Sequence, residues 1–307
     1  AKARKTILQA AKESGFQLNV NAKQLKQSHT NNILVIVKGT GNEFFAEMLE
    51  CIQTLLAKTR YQLVVDYLDE ELNEVTRAVQ LCREIKPLGI LFLGGNSRNF
   101  SADFQKIDIP CVEVTNDASA LNFPNLSSVT TDDREAARRA IDTLAARGHR
   151  RIAVIGGDKT FSDISRLRLE GCQQSFWEHG ISFDLQRDYR GVRFSCEDGY
   201  NATRSLLRSG DYTAIFAFSD LMAIGALRAL WEAGKRVPED VSVMGLDGLS
   251  LGKYLVPQLS TIRQDFRAIA LRSVDILLAT IENGTSARHE TVPFQVWCRE
   301  SIRLISE

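Results

Sequence analysis

From residue 32 onward the chain alternates two hydrophobic periods. Residues 33–37 (ILVIV) are continuously apolar and largely β-branched, the pattern of a strand buried on both faces. Residues 42–59 then place Phe45, Met48, Leu49, Ile52, Leu55 and Leu56 at helical spacing. A strand at 62–67, a helix at 71–85 stopped by Pro87, and a strand at 89–93 follow. Short strands at 110–114 and 127–130 lead to a helix that opens at Asp132 and runs to Ala146, with Gly148 placed to end it. The alternation then restarts, with strands at 151–155, 189–191, 214–218, 241–245 and 260–262. Helices fall between them at 163–179, 196–209 and 220–233, and a long one closes the series at 266–281.

Strands separated by helices imply right-handed βαβ units around parallel sheets. Two such series predict an α/β chain of two similar doubly wound lobes. Ligands of open α/β sheets sit outside the carboxyl ends of the strands. The strand-end residues of both lobes are therefore expected to converge on one cleft.

Residues 1–27 break the pattern. Ile7, Leu8 and Ala11 lie among basic residues, predicting a short amphipathic helix over 3–12 with Gly15 as its stop. Asn19 and Asn21 punctuate the chain, and residues 22–27 suit one or two helical turns, too short to be stable alone.

Composition narrows the class. The 307 residues are 44% hydrophobic and 25% charged, as in an ordinary globular protein of about two domains. No apolar run approaches the roughly 20 residues of a membrane span. No apolar leader opens the chain, so a cytoplasmic location is expected. Cys51, Cys82, Cys111, Cys172, Cys196 and Cys298 are scattered singly, as reduced thiols rather than a zinc site or disulfide framework. His29, His149, His179 and His289 are dispersed, and no GxSxG, Walker A or HExxH motif occurs. Gly94-Gly95 and Gly156-Gly157 follow strands without completing GxGxxG. No catalytic residue, metal or cofactor is expected, and the chain does not read as an enzyme.

The net charge is zero, with 38 cationic and 38 acidic side chains, but it is unevenly spread. Residues 1–30 carry Lys2, Arg4, Lys5, Lys12, Lys23 and Lys26 against Glu13 alone, a net +5 that leaves −5 on the rest. A basic arm on a mildly acidic body suits a nucleic-acid partner; the alternative is a solvated helix face.

Seven segments in collinear order now resemble one family. They are "ARKTILQAAKESGFQLNVNAKQLKQSHTNNILVIV" (3–37), "NEFFAEML" (42–49), "ARGHRRIAVIGG" (146–157), "SRLRLEGC" (165–172), "AIFAFSDLMAIGALRAL" (214–230), "VPEDVSVMGLDG" (237–248) and "LSTIRQDF" (259–266). Together they are similar to LacI/GalR-type bacterial transcription regulators. The resemblance implies two lobes of the type I periplasmic-binding-protein-like form behind a short helical DNA-binding and hinge remnant. It implies a remnant over 1–32, a first lobe of 33–147 with 266–293, and a second of 148–263 with 294–307. The family's base-reading motif, V-S-x-x-T-V-S-R-x-L-N, does not precede Ala1, so that helix is expected to lie outside this sequence.

The resemblance also assigns roles. Leu25 matches the hinge-helix leucine that wedges into the DNA minor groove, a device that kinks the duplex. Asn21, Ala22, Lys23, Gln24 and Lys26 would be its groove and phosphate neighbours. Without DNA, the alternative for residues 19–31 is a disordered basic linker. In the cleft, Phe44, Phe45 and Phe194 would offer aromatic faces to a sugar ring or purine, and core packing is the alternative. Arg168 would hold vicinal hydroxyls or a carboxylate, and Asp247 would accept from ligand hydroxyls; the alternative is that these two pair with each other. Ser219, Asp220, Gln264 and Glu135 are secondary candidates beside Asp132, whose simpler role, like that of Asp220, is a helix cap. Gln264 lies at a crossover between lobes.

Departures matter too. Ser219 stands where many members carry Asn, Gly248 where many carry a second Asp, and Ala137 where Gly is common. Hydroxyl-reading groups are thus fewer. Lys38, Arg166 and Arg193 join Arg168 as cations near one cleft, which would favour an anionic effector such as a sugar phosphate or sugar acid. The expected function is a ligand-responsive repressor, gripping a palindromic operator as a homodimer and binding a small sugar-like effector. The rival is a solute-binding sugar receptor of the same fold without DNA function. No leucine heptads follow the core, which favours a dimer.

Overall fold

The structure, a computed structural model, describes residues 31–158 and 162–305. The residues assigned to DNA, Asn21, Ala22, Lys23, Gln24, Leu25 and Lys26, lie outside the described residues, as do residues 1–30 of the remnant placed over 1–32, whose last residue, Asn32, instead opens the first strand.

The first sheet contains β1 (Asn32–Lys38), β2 (Gln62–Leu68), β3 (Gly89–Leu93), β4 (Cys111–Val114), β5 (Leu126–Thr130) and β11 (His289–Thr291), in the order β11-β5-β4-β3-β1-β2. The second contains β6 (Ile152–Gly156), β7 (Tyr189–Gly191), β8 (Ala214–Ala217), β9 (Ser242–Asp247), β10 (Ser260–Gln264) and β12 (Phe294–Trp297), in the order β12-β10-β9-β8-β6-β7. All recorded pairings are parallel except the antiparallel β10–β12 edge. The uninterrupted apolar runs are explained by this burial. Residues 33–37 of β1 lie inside, with β2 and β3 on either side and helices over both faces.

The helices are α1 (Glu43–Leu56), α2 (Glu74–Ile85), α3 (Ser97–Asp103), α4 (Asp133–Ala145), α5 (Asp163–Glu178), α6 (Leu185–Asp188), α7 (Cys196–Ser209), α8 (Asp220–Glu232) and α9 (Phe266–Asn283). A capping side chain opens each of them; Asn42, Asn73, Asp132, Ser162, Ser195, Ser219 and Asp265, for instance, accept from first-turn N–H groups. Asn73 explains why the second helix begins at Glu74 rather than at residue 71. The short α3, α6, β11 and β12 have no periodic signal in the sequence.

One helix changes sides. The resemblance groups residues 33–147 with the first lobe, yet α4 packs into the second core through Ala136, Ala137, Ala140, Ile141 and Leu144. Its partner is α5, where Gly171 permits close approach; a Cβ there would sit 2.0 Å from the Arg134 carbonyl oxygen. A face of small residues against a glycine fixes which sheet the helix covers. The chain therefore crosses between sheets at residues 131–132, before α4. It returns at 265, before α9, which packs on the first core through Ile269, Val274 and Leu277. A last crossing joins β11 to β12. Among the described residues no helix is long and apolar enough to cross a membrane.

Candidate functional site

The carboxyl ends of the two sheets face each other, and polar contacts among the described residues bridge them. Arg193, after β7, reaches the turn after β2, with Nη2 2.6 Å from Asp69 Oδ1 and Nε 2.5 Å from Glu70 Oε1. The Ser97 N–H at the start of α3 donates to Asp163 Oδ2 at the start of α5, at 3.0 Å. Ser250, in the turn after β9, donates through both N–H and Oγ to Glu47 of α1. The topology expects a ligand on this side of the sheets, between these bridges.

Arg168 lies on α5 and is 4% exposed. Its Nε donates to Asp133 Oδ1 at 2.7 Å, and its Nη1 donates to the Phe218 carbonyl at the end of β8. Burial raises the Asp133 carboxyl above its ordinary range, and the guanidinium only partly offsets this. Arg168 and Asp247 do not form an ion pair with each other; Asp133 takes that place. The sequence pattern singles out neighbouring Asp132 instead, which caps α4 by accepting from the Glu135 N–H at 3.0 Å.

Asp247 ends β9 with φ of 129°, a sparsely populated conformation that marks functional backbones. Its carboxylate accepts from Gln264 Nε2 at 3.0 Å and from the Asp220 N–H. Burial holds its pKa well above the usual carboxylate range, with the neighbouring Asp220 charge adding to the effect. Asp220 is not the cap of α8. Ser219 is, accepting from the Met222 N–H at 3.2 Å. Asp220 instead turns inward, accepting from Thr261 Oγ1 at 2.6 Å and the Leu249 N–H at 2.7 Å, and burial lifts it to about 6. Ser219, Asp220, Asp247 and Gln264 thus form one buried polar cluster at the ends of β8, β9 and β10, and Arg168 adjoins it through Phe218.

The aromatic candidates divide. Phe44 and Phe45 are both buried in the first core, 5.9 Å apart between centroids, and Phe44 meets Phe266 edge-on at 6.5 Å. Phe194 is half-buried and lies over Gly157 after β6, where a Cβ would stand 2.6 Å from its ring. Phe194 lies at the carboxyl end of the second sheet, whereas Phe44 and Phe45 are packed in the first core, the alternative reading of these two rings.

The cations are not free. Lys38 Nζ ends β1 at 2.6 Å from Glu74 Oε2, and Glu74 also accepts from the Asn96 N–H and Asn99 Nδ2. Arg166 pairs with Glu170 at 2.8 Å, and Arg193 with the acidic turn. The expectation of four available cations is therefore corrected: each has a carboxylate partner. Glu135 is likewise outside the cluster, held by Arg138 on its own helix with both nitrogen–oxygen contacts at 2.7 Å. Beyond the candidates, Glu113 on β4 is fully buried with Oε1 unpartnered. Burial, then the charges of Glu74 and Asp163, push it up to about 8. Asp133, Glu74 and Glu113 carry no signal in the sequence pattern, since each gains its meaning from a distant partner. No group of three His, Cys, Asp or Glu side chains among the described residues is arranged to hold a metal.

Comparison with known proteins fits this geometry. A family model described as a periplasmic binding protein-like domain matches residues 141–302. The HTH-type transcriptional regulator MalR of Clostridium butyricum is 31% identical over 97% of this chain and 90% of its own. Among solved structures, the transcriptional regulator CelR–cellobiose complex matches with a TM-score of 0.78 and 25% identity, over 97% of this chain and 90% of that one. The lac repressor dimer bound to operator and the anti-inducer ONPF matches with a TM-score of 0.79 and 25% identity, over 94% of this chain and 99% of that one.

Proposed function

The chain belongs to the LacI family of transcriptional regulators, and from that premise we propose that its cleft binds a small sugar-like effector that controls a repressor's grip on operator DNA. The observation that carries this reading is the polar arrangement around Arg168. Its guanidinium is oriented by Asp133 and the Phe218 carbonyl, beside an Asp247–Gln264 pair, and Phe194 lies over Gly157 at the end of the neighbouring strand. A guanidinium has five N–H donors, so one oriented by a carboxylate still has N–H groups for ligand oxygens. A carboxyl held at the end of β9 serves ring hydroxyls, and Phe194 supplies an apolar face to the ring.

The hinge segment around Leu25 then enters the minor groove of a palindromic operator as part of a homodimer, with Asn21 to Lys26 along the groove and backbone. Effector binding changes the relation between the two lobes and so the docking of the paired hinges. In this reading the protein works in the cytoplasm and binds its ligand without transforming it.

Calorimetric titration with a panel of pentoses, hexoses and disaccharides tests the reading. Saturable binding of one of them, abolished in Arg168→Ala, is the expected result. Failure of every sugar to bind would sink it.

A further inference from the structure

We propose that the effector is an uncharged polyol, and that Glu74 and the acidic turn at residues 69–71 exclude its phosphorylated or carboxylated forms. This rests on the reading of the cleft as a sugar site and narrows it to one chemical class.

The inference follows from charge pairing at the strand ends. Lys38 ends β1 beside Gly94, where an added Cβ would stand 3.6 Å from the Lys38 Cβ and 3.1 Å from the Phe45 ring. Its ammonium is bound at 2.6 Å to a carboxylate that is itself fully buried and that accepts two further hydrogen bonds. An anionic ligand could claim Lys38 only by leaving Glu74 buried without its counter-ion, which is a heavy penalty. Arg168 is already charge-matched by Asp133, so its remaining N–H groups suit a neutral oxygen without drawing a net anion. Arg193, the cation of the rim, faces three carboxylates, with Glu71 at 3.6 Å behind Asp69 and Glu70.

Acidic groups are in excess. Glu113, Asp220 and Asp247 are buried near the strand ends and have no ion pair among the described residues. A phosphate or carboxylate entering here would meet like charge or neutral acids, while Lys38, Arg166, Arg168 and Arg193 each already carry a carboxylate partner. A hydroxyl meets no such obstacle. It donates to a carboxylate, accepts from a guanidinium N–H, and accepts from a carboxyl that has kept its proton.

Matched pairs test this: neutral sugars against their own phosphates and uronates, such as ribose with ribose 5-phosphate and glucose with glucose 6-phosphate and glucuronate. Calorimetry on the full chain reads the affinity ratio within each pair. The expected result is a neutral sugar that binds at least about tenfold more tightly than its anionic partner. In Glu74→Gln, which frees Lys38, the ratio shifts toward the phosphate by about tenfold or more. The double variant Asp69→Asn/Glu70→Gln lies on an exposed turn and shifts the ratio the same way through Arg193, so the inference stays testable if Glu74→Gln does not fold. Tighter binding of the anionic partner by the wild-type chain, or an unchanged ratio in the folded variants, overturns the inference while leaving the sugar reading intact. Absence of binding by either member of every pair overturns the sugar reading itself and this inference with it.

Discussion

Asp133 and Arg168, thirty-five residues apart, form a buried ion pair at 2.7 Å, and the guanidinium also meets the Phe218 carbonyl. Removing one partner leaves the other charge in a low-dielectric interior. Arg168→Ala should therefore cost about 3–5 kcal/mol of folding stability. The double variant Arg168→Met/Asp133→Leu should lose far less than the sum of the single changes, while no longer binding effector. Urea denaturation measures both, and strictly additive losses would contradict the pairing.

Glu113 makes stability depend on alkaline pH. Its folded pKa, near 8, lies above the ordinary 4.5, so the folded state holds a proton that the unfolded chain releases. Its favourable contribution is complete below pH 4.5 and is lost as pH rises through 8. Glu113→Gln, which stays neutral at every pH, should raise the melting temperature at pH 8.5 relative to wild type and flatten the decline. A variant less stable than wild type at that pH would refute the assignment.

His149 acts in the opposite direction. It is fully buried, with Nδ1 3.1 Å from Thr213 Oγ1 and Nε2 3.3 Å from the Arg303 carbonyl oxygen. Burial lowers its pKa from 6.5 to about 4, so between those values the unfolded chain binds a proton that the folded chain refuses. Stability is full above pH 6.5 and falls as pH drops toward 4. His149→Gln should remove that acid limb at some cost at neutral pH. Thermal melts from pH 7 to pH 4.5 would expose an unchanged acid limb, the result that contradicts it.

Arg193 ties the two rims together across an exposed junction. Exposed pairs of this kind weaken with ionic strength, so the clasp should open as salt rises. Small-angle scattering of the ligand-free chain should show a larger radius of gyration for Arg193→Ala at low salt. It should also show a smaller salt-dependent increase than in wild type. Identical salt responses in the two proteins would mean that the clasp does not govern opening.

Much of this architecture is legible in the sequence, for identifiable reasons. Buried parallel strands produce unbroken apolar runs, so residues 33–37 and 214–217 declare themselves locally, whereas the cap of α8 does not: the pattern offers Asp220 and the structure uses Ser219. Arg168, Asp247 and Gln264 occupy motif positions, and Gln264 donates to Asp247, whose carboxyl also feels the Arg168 charge. The register of Asp132 and Asp133 is different: adjacent residues on a helix point about 100° apart, so one caps the helix and the other enters the interior. Nothing local distinguishes them. The pairing of cations is equally hidden, because Lys38 finds Glu74 and Arg193 finds Asp69 across 36 and 124 residues. Four basic side chains look available in one dimension and are satisfied in three.

The interleaved path of the chain also has a consequence for how the protein is made. The edge strands β11 and β12, separated by two residues, complete the first and second sheets respectively, and α9 covers the first core only after every other strand of the second has been laid down. Neither half is complete when it first leaves the ribosome. An intermediate released before residue 289 would expose an edge of both sheets at once, so the last stretch of synthesis is the one in which the nascent chain most needs protection from aggregation.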